Sequence, residues 1–149
     1  NTDIRQNLEN ITKALAKINH YGINIVFPVH PRTEKLLKTY GLFGRLNKSV
    51  KIIQPLGYFD FLKLLNHGSK VLTDSGGIQK EAYILKIPCI TLRENTEWAE
   101  TIQEGWNILA GSDVEKIVEL AKNFTPGNNH SAVFGSGACL NIIKILNSM

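Results

Sequence analysis

Cysteine is scarce in this chain. Two residues in 149, Cys89 and Cys139, are too few for a disulfide scaffold and lack the spacing of a metal site. Cys89 sits inside an apolar run and reads as a buried thiol. No apolar stretch approaches the roughly 20 residues of a membrane span, and the amino end shows no basic segment followed by an apolar one. The chain therefore reads as soluble and intracellular, in the cytoplasm, with no membrane partner. A long basic run is missing too: 17 basic and 13 acidic residues are scattered to a net charge of +4, which excludes a nucleic-acid backbone as the expected partner. No repeat, low-complexity tract or linker interrupts the chain. What remains is 43% hydrophobic and 20% charged, the composition of one ordinary globular domain long enough to bury a full core.

Apolar periodicity gives the order of elements. Ile4, Leu8, Ile11, Leu15 and Ile18 lay one stripe along a helix over residues 4–19, which Asp3 or Thr2 can cap. Residues 24–28 and 49–54 read as strands, with a helix over 33–40 between them and a loop with a short helical turn over 41–47. A helix follows through Leu65. Strands over 70–73, 87–92 and 106–109, a helix over 78–85, and a helix capped by Ser112 and running to Asn123 complete the pattern, followed by a polar loop over 125–137 and a closing helix over 141–146. Five strands separated by helices predict an α/β fold, a doubly wound parallel sheet of about five to six strands.

The stretch from Val71 to Glu81 is the one with chemistry in it. A short buried strand runs into Ser75-Gly76-Gly77, and these open a helix whose first N–H groups lack intrahelical partners. An anion is stabilised there, the glycines let a diphosphate approach the backbone, and the Ser75 hydroxyl can donate to it. An ordinary capped turn is the alternative. Other candidates follow the ends of strands, which face the ligand crevice in an open α/β sheet. His30 and Arg32 can meet a phosphate, or Pro31 simply starts a helix with His30 in its loop. Phe61 can stack on a base, or with Tyr58, Leu62 and Leu65 it faces the core. Arg93 and Thr96 stand at the end of the strand beside the Gly-Gly turn, while Glu100 and Glu104 read as a solvated helix face.

Asp74-Ser-Gly-Gly-Ile-Gln-Lys-Glu-Ala82, Pro88-Cys-Ile-Thr-Leu-Arg93, Thr96-Glu-Trp98 and Glu104-Gly-Trp-Asn-Ile-Leu-Ala-Gly111 together resemble the non-hydrolysing UDP-N-acetylglucosamine 2-epimerases. The resemblance implies a Rossmann-like domain, the carboxy-terminal nucleotide-binding half of a two-domain glycosyltransferase-B-like enzyme, with residues 1–149 as a single UDP-binding domain. It implies that a His-Arg-x-Glu-Asn motif ends at Asn1, so that an amino-terminal domain precedes this chain. That domain would carry the acid and base carboxylates, and no catalytic residue is assigned here. The implied ligands are UDP and a UDP-2-acetamido sugar, held by Ser75, Gly76, Gly77, Glu81, Phe61, His30 and Arg93, with Glu81 accepting from the ribose hydroxyls. Neither a metal nor a cofactor is implied, and a homodimer is left open for the full-length enzyme. Many members of the family have Glu where this chain has Lys80 and Arg where it has Trp98. The pattern here is closer to members acting on diacetamido-glucuronic acid and to archaeal relatives.

Two other functions remain compatible with these residues: a glycosyltransferase of the same fold, and a noncatalytic UDP-binding module. A dinucleotide site is disfavoured, because no Gly-x-Gly-x-x-Gly follows the first strand.

Overall fold

In the computed structural model, which describes residues 3–135 and 146, short strands alternate with helices along the chain. The order is α1 (Arg5–His20), β1 (Val26–Pro28), α2 (Pro31–Thr39), α3 (Phe43–Leu46), β2 (Lys51–Ile53), α4 (Tyr58–Asn66), β3 (Val71–Thr73), α5 (Gly76–Ile84), β4 (Cys89–Thr91), α6 (Ala99–Gln103), β5 (Asn107–Leu109) and α7 (Val114–Asn123). All strand pairs are parallel, as the alternation predicts. The ladder is divided, however: β1 pairs with β2, and β3, β4 and β5 form a second sheet in that order. Each strand is only three residues long, shorter than the apolar runs that contain them. Single bonds such as Val29 N to Ile53 O at 3.1 Å and Ala110 N to Thr91 O at 2.8 Å carry the pairing one residue past the ladder.

One core joins the two sheets. Leu8, Ile11, Leu15 and Ile18 of α1 are buried with Ile117, Val118, Leu120 and Ala121 of α7, together with Val29, Val50, Ile90, Leu92 and Ala110 at or beside the strands. The stripe read along α1 thus finds its partner in α7, except at its start. Ile4 is 58% exposed and is the helix N-cap without any side-chain cap bond. Asp3, expected to cap, is instead 3.0 Å from Arg32, because opposite charge in the first turn of α2 competes with the helix's own amides for the carboxylate. Leu65, Ala82, Ile87 and Cys89 make a smaller cluster beneath α4 and α5, with Phe61, Val71 and Leu85 packed on it.

The start of α7 also departs from expectation. Asp113 is its N-cap, accepting from Lys116 N at 2.8 Å, and the Ser112 hydroxyl donates across to Asn7 Oδ1 at 3.0 Å. A carboxylate at a helix start gains from the dipole as well as from the bond, so it takes the position. The other end of α7 is closed by Lys70, whose ammonium donates to Ala121 O at 2.8 Å. Burial holds that ammonium below its usual pKa. The closing helix expected over 141–146 lies outside the described residues apart from Leu146, which is helical.

Two features of this frame can be tested directly. Lys86 ends α5 in the left-handed region at φ 59°, a conformation that glycine adopts without the steric cost of a Cβ. Lys86→Gly is expected to raise the unfolding free energy by about 0.5–1 kcal/mol in urea denaturation; a lower value would show that the lysine side chain contributes more than its backbone costs. Burial pushes the Cys89 thiol from an ordinary 9.0 up to about 12. A raised folded-state pKa means its stabilising contribution is complete below pH 9 and is lost as pH climbs toward 12. Iodoacetamide at about pH 8 should therefore leave Cys89 unmodified in the native protein and alkylate it after unfolding, read by peptide mass spectrometry.

Candidate functional site

Within each parallel sheet the carboxyl ends lie on one side, so the turns after β3, β4 and β5 emerge together, as do those after β1 and β2. The turn after β3 is two residues long. Thr73 is buried, and its hydroxyl accepts from Ser75 N at 3.1 Å, which fixes the chain as it leaves the strand. Ser75 is the N-cap of α5 in extended geometry, but its side chain makes no cap bond. The first turn of α5 holds no acidic residue either. Its N–H groups therefore face outward without an anion of the helix's own, as an anion cradle requires.

At Gly76 the space a side chain would take is filled by another residue. A Cβ there would lie 1.8 Å from Oε1 of Glu97 and 2.8 Å from its carboxyl carbon. Gly111, after β5, is crowded in the same way: its φ is 63°, and a Cβ would lie 2.0 Å from Oε1 of Glu94. Both glutamates come from the loop after β4, which leans over the ends of the neighbouring strands.

A buried polar lattice holds that loop down. Thr91 Oγ1 donates to Asn107 Oδ1 at 2.7 Å, and Asn107 Nδ2 donates to Gln79 Oε1 at 3.1 Å and to Thr101 Oγ1 at 3.0 Å. Thr96 Oγ1 donates to the same Gln79 oxygen at 2.6 Å and accepts from Trp98 N at 3.0 Å. Thr101 Oγ1 donates to Trp98 O at 2.7 Å, and the Trp98 indole donates to Gly76 O at 2.8 Å. The lattice thus runs from the strands through α5 to the Gly-Gly turn. Gln79, Thr91 and Thr101 are fully buried, and Gln79 Nε2 is the buried side-chain atom without a hydrogen-bond partner among the described residues. Sequence reading passed over Gln79, Thr91, Thr101 and Asn107. A polar Asn in the middle of an apolar strand was the signal available.

The candidates singled out from sequence fall around this turn in different states. Thr96 is consumed by the lattice. Arg93 donates to Glu97 Oε2 at 3.1 Å and to Asn95 Oδ1 at 3.1 Å, so its guanidinium is at the turn but engaged. Glu81 lies on α5 beyond the Gly-Gly turn, with the Tyr58 hydroxyl beside it. Its negative charge, followed by the phenol's loss of water and the hydrogen bond between them, raises the Tyr58 pKa above the ordinary value. Phe61 faces the small core from α4, while Tyr58 and Phe59 before it are 59% and 82% exposed. His30 is exposed and caps α2, its Nδ1 accepting from Arg32 N at 3.2 Å; the neutral ring then keeps its proton on Nε2, free to donate.

The segment after α7 is drawn in against α5. Tyr83 donates to Ser131 O at 2.7 Å and stacks on His130, with centroids 4.3 Å apart. Glu104, expected to be a solvated face, accepts from both the backbone N and the hydroxyl of Ser131 at 3.0 Å. Two donors on one residue outbid water for that carboxylate. Lys80 places its ammonium 5.0 Å from the Trp98 ring and 4.8 Å from the Phe134 ring, a cation between two aromatic faces. No group of three or more His, Cys, Asp or Glu able to hold a metal occurs among the described residues. Two surface grooves, one of about 420 Å³ between α1, α3 and α7 and one of about 340 Å³ around the start of β2, include none of the residues of this turn.

The family model of UDP-N-acetylglucosamine 2-epimerase matches residues 1–147. The chain belongs to that family. A UDP-N-acetylglucosamine 2-epimerase homolog of Methanococcus maripaludis is 48% identical over 153 residues, covering 100% of this chain and 42% of its own length. The UDP-2,3-diacetamido-2,3-dideoxy-D-glucuronate 2-epimerase of Pseudomonas aeruginosa is 41% identical over 82% of this chain and 33% of its own. A solved structure of UDP-GlcNAc 2-epimerase from Methanocaldococcus jannaschii, in complex with UDP-GlcNAc and UDP, superposes with a TM-score of 0.91 at 44% identity, covering 100% of this chain and 42% of that one. The chain thus spans about two fifths of the length of the epimerases it matches.

The lattice should be stringent. Asn107→Ala leaves Gln79, Thr91 and Thr101 short of partners in a dry site, and is expected to lower stability by about 1–3 kcal/mol. Urea denaturation with an unchanged m-value checks this; a loss under 0.5 kcal/mol would mean that the neighbours repair the network among themselves.

Proposed function

We propose that this chain is the UDP-binding part of an enzyme that inverts C2 of a UDP-linked 2-acetamido sugar, interconverting UDP-GlcNAc and UDP-ManNAc or acting on a diacetamido-uronic acid analogue. The observation that carries the reading is the uncapped start of α5, where Ser75, Gly76 and Gly77 present backbone amides beside the end of β3 with no acidic residue in the helix's own first turn. A diphosphate supplies the missing negative charge. Relatives of this chain bear the epimerase name, and one was solved with UDP-GlcNAc and UDP.

In this reading the diphosphate sits on the Gly-Gly turn, Glu81 accepts from the two ribose hydroxyls, and the base lies near the start of α4, against the exposed part of Phe61. His30 donates to the ligand through Nε2, and Arg93 contributes its guanidinium. The reaction removes the proton at C2 as the C1–O bond to UDP breaks, leaving an unsaturated sugar; UDP then adds back with the proton returned to the opposite face. This chain's part is to retain the departed UDP, so that re-addition competes with loss to solvent. The base and acid belong to the preceding domain. Residues 1–149 by themselves are accordingly read as binding UDP without epimerising. The whole enzyme is read as cytoplasmic, with a homodimer open to it; no helix among the described residues is long and apolar enough to cross a membrane.

Calorimetric titration with UDP tests the reading. Glu81→Gln keeps the size of the side chain and removes its charge, and is expected to weaken UDP by about 1–3 kcal/mol. Wild-type affinity in the folded variant would place the nucleotide elsewhere. Incubating the full-length enzyme with UDP-GlcNAc alone separates an epimerase from a glycosyltransferase, since only the former turns over without an acceptor.

A further inference from the structure

The carboxylate of Glu97 lies against the Gly-Gly turn. Its Oε1 occupies the space of a Cβ on Gly76, the first residue of α5, while its Oε2 accepts from Arg93 at 3.1 Å. Ser75, the N-cap of that helix, makes no side-chain cap bond, and the helix's own first turn holds no acidic residue. A carboxylate from the loop after β4 therefore stands at its positive end. Glu97 is also 47% exposed, and its partner Arg93 is 30% exposed; neither side chain is sealed in place. The lattice beneath is different, because Thr96 and Trp98 on either side of Glu97 are pinned through Gln79 and Gly76 O. The backbone of the loop is fixed while this one side chain can turn out.

We infer that Glu97 is a built-in substitute for the diphosphate, covering the anion cradle when it is empty and competing with the ligand for it. Entry of a diphosphate swings Glu97 into solvent, and Arg93 exchanges a carboxylate partner for a phosphate one. The guanidinium stays charge-paired throughout, so the exchange never leaves a bare cation at the turn. The cost falls on affinity: with the competent state only partly populated, the apparent dissociation constant rises by that fraction. An enzyme that must hold a nucleoside diphosphate through one step and give up its sugar nucleotide after the next gains from a carboxylate that returns as the anion leaves. This inference rests on the diphosphate site proposed above.

The test is a set of titrations on the full chain. Glu97→Gln should bind UDP and inorganic pyrophosphate about two- to fivefold more tightly, the range for a unit charge at a helix start, and should leave uridine unchanged. Unchanged or weaker UDP binding by the folded variant overturns the inference. So does a loss confined to UDP-GlcNAc, which would make Glu97 a sugar contact. A thermal-unfolding cycle reads the same contact without ligand: Gly76→Ala should lower the melting temperature in the wild type and do so much less in a Glu97→Ala background. Additive shifts overturn the placement of Glu97. If the wild type shows no UDP binding at all, the proposed function fails, and the Gly76–Glu97 cycle still decides whether the carboxylate occupies the turn.

Discussion

The side-chain oxygen of Gln79 is the point on which the ligand edge depends. It accepts from Thr96 of the loop after β4 and from Asn107 of β5, while its own residue sits in the first turns of α5. Strand, loop and helix are thereby locked at one fully buried atom, in a setting where water cannot replace a lost partner. The Gly-Gly turn inherits its position from that lock, through the bond between the Trp98 indole and Gly76 O. An anion cradle built from backbone amides has no adjustable side chains, so its precision must come from the packing beneath it.

Around this rigid point polar side chains are arranged in pairs, each with one carboxylate. Arg93 and Glu97 form one, Tyr58 and Glu81 another, and both lie at exposed or half-exposed positions beside a helix start that attracts anions. Fixed backbone donors with movable side-chain charges around them suit a site that must grip a diphosphate and later let it go. The cation between Trp98 and Phe134 has a different task. Lys80, on α5, meets Phe134 of the segment after α7 and Trp98 of the loop after β4, and Tyr83, His130 and Glu104 add hydrogen bonds and stacking between α5, α6 and that segment. A cation–π contact keeps its attraction without a carboxylate.

The share of the epimerases that this chain spans, about two fifths, sets what its geometry can account for. In the proposed reading, binding of the nucleotide lies within it. Proton transfer at C2 needs a base within hydrogen-bond reach of that carbon, and the exposed carboxyl edge of the sheet is where the remaining part of the enzyme would have to present one.

Local chemistry made much of this legible in the sequence. Apolar spacing located α1 and α7, β-branched runs located the strands, and Ser75-Gly76-Gly77 marked the start of α5, because period, propensity and the steric freedom of glycine act over a few neighbouring residues. Asp113 rather than Ser112 at the start of α7, and Asp3 paired with Arg32 rather than capping α1, show where that reasoning ends. Several polar groups near a helix start could each have served, and residues distant in sequence chose among them. The same holds for Gln79, Asn107, Thr91 and Thr101, ordinary polar residues until the fold seals them in one dry lattice. It holds most of all for Glu97: its sequence position shows an acidic loop residue, and only the close approach of the loop to Gly76 turns it into the charge standing over α5.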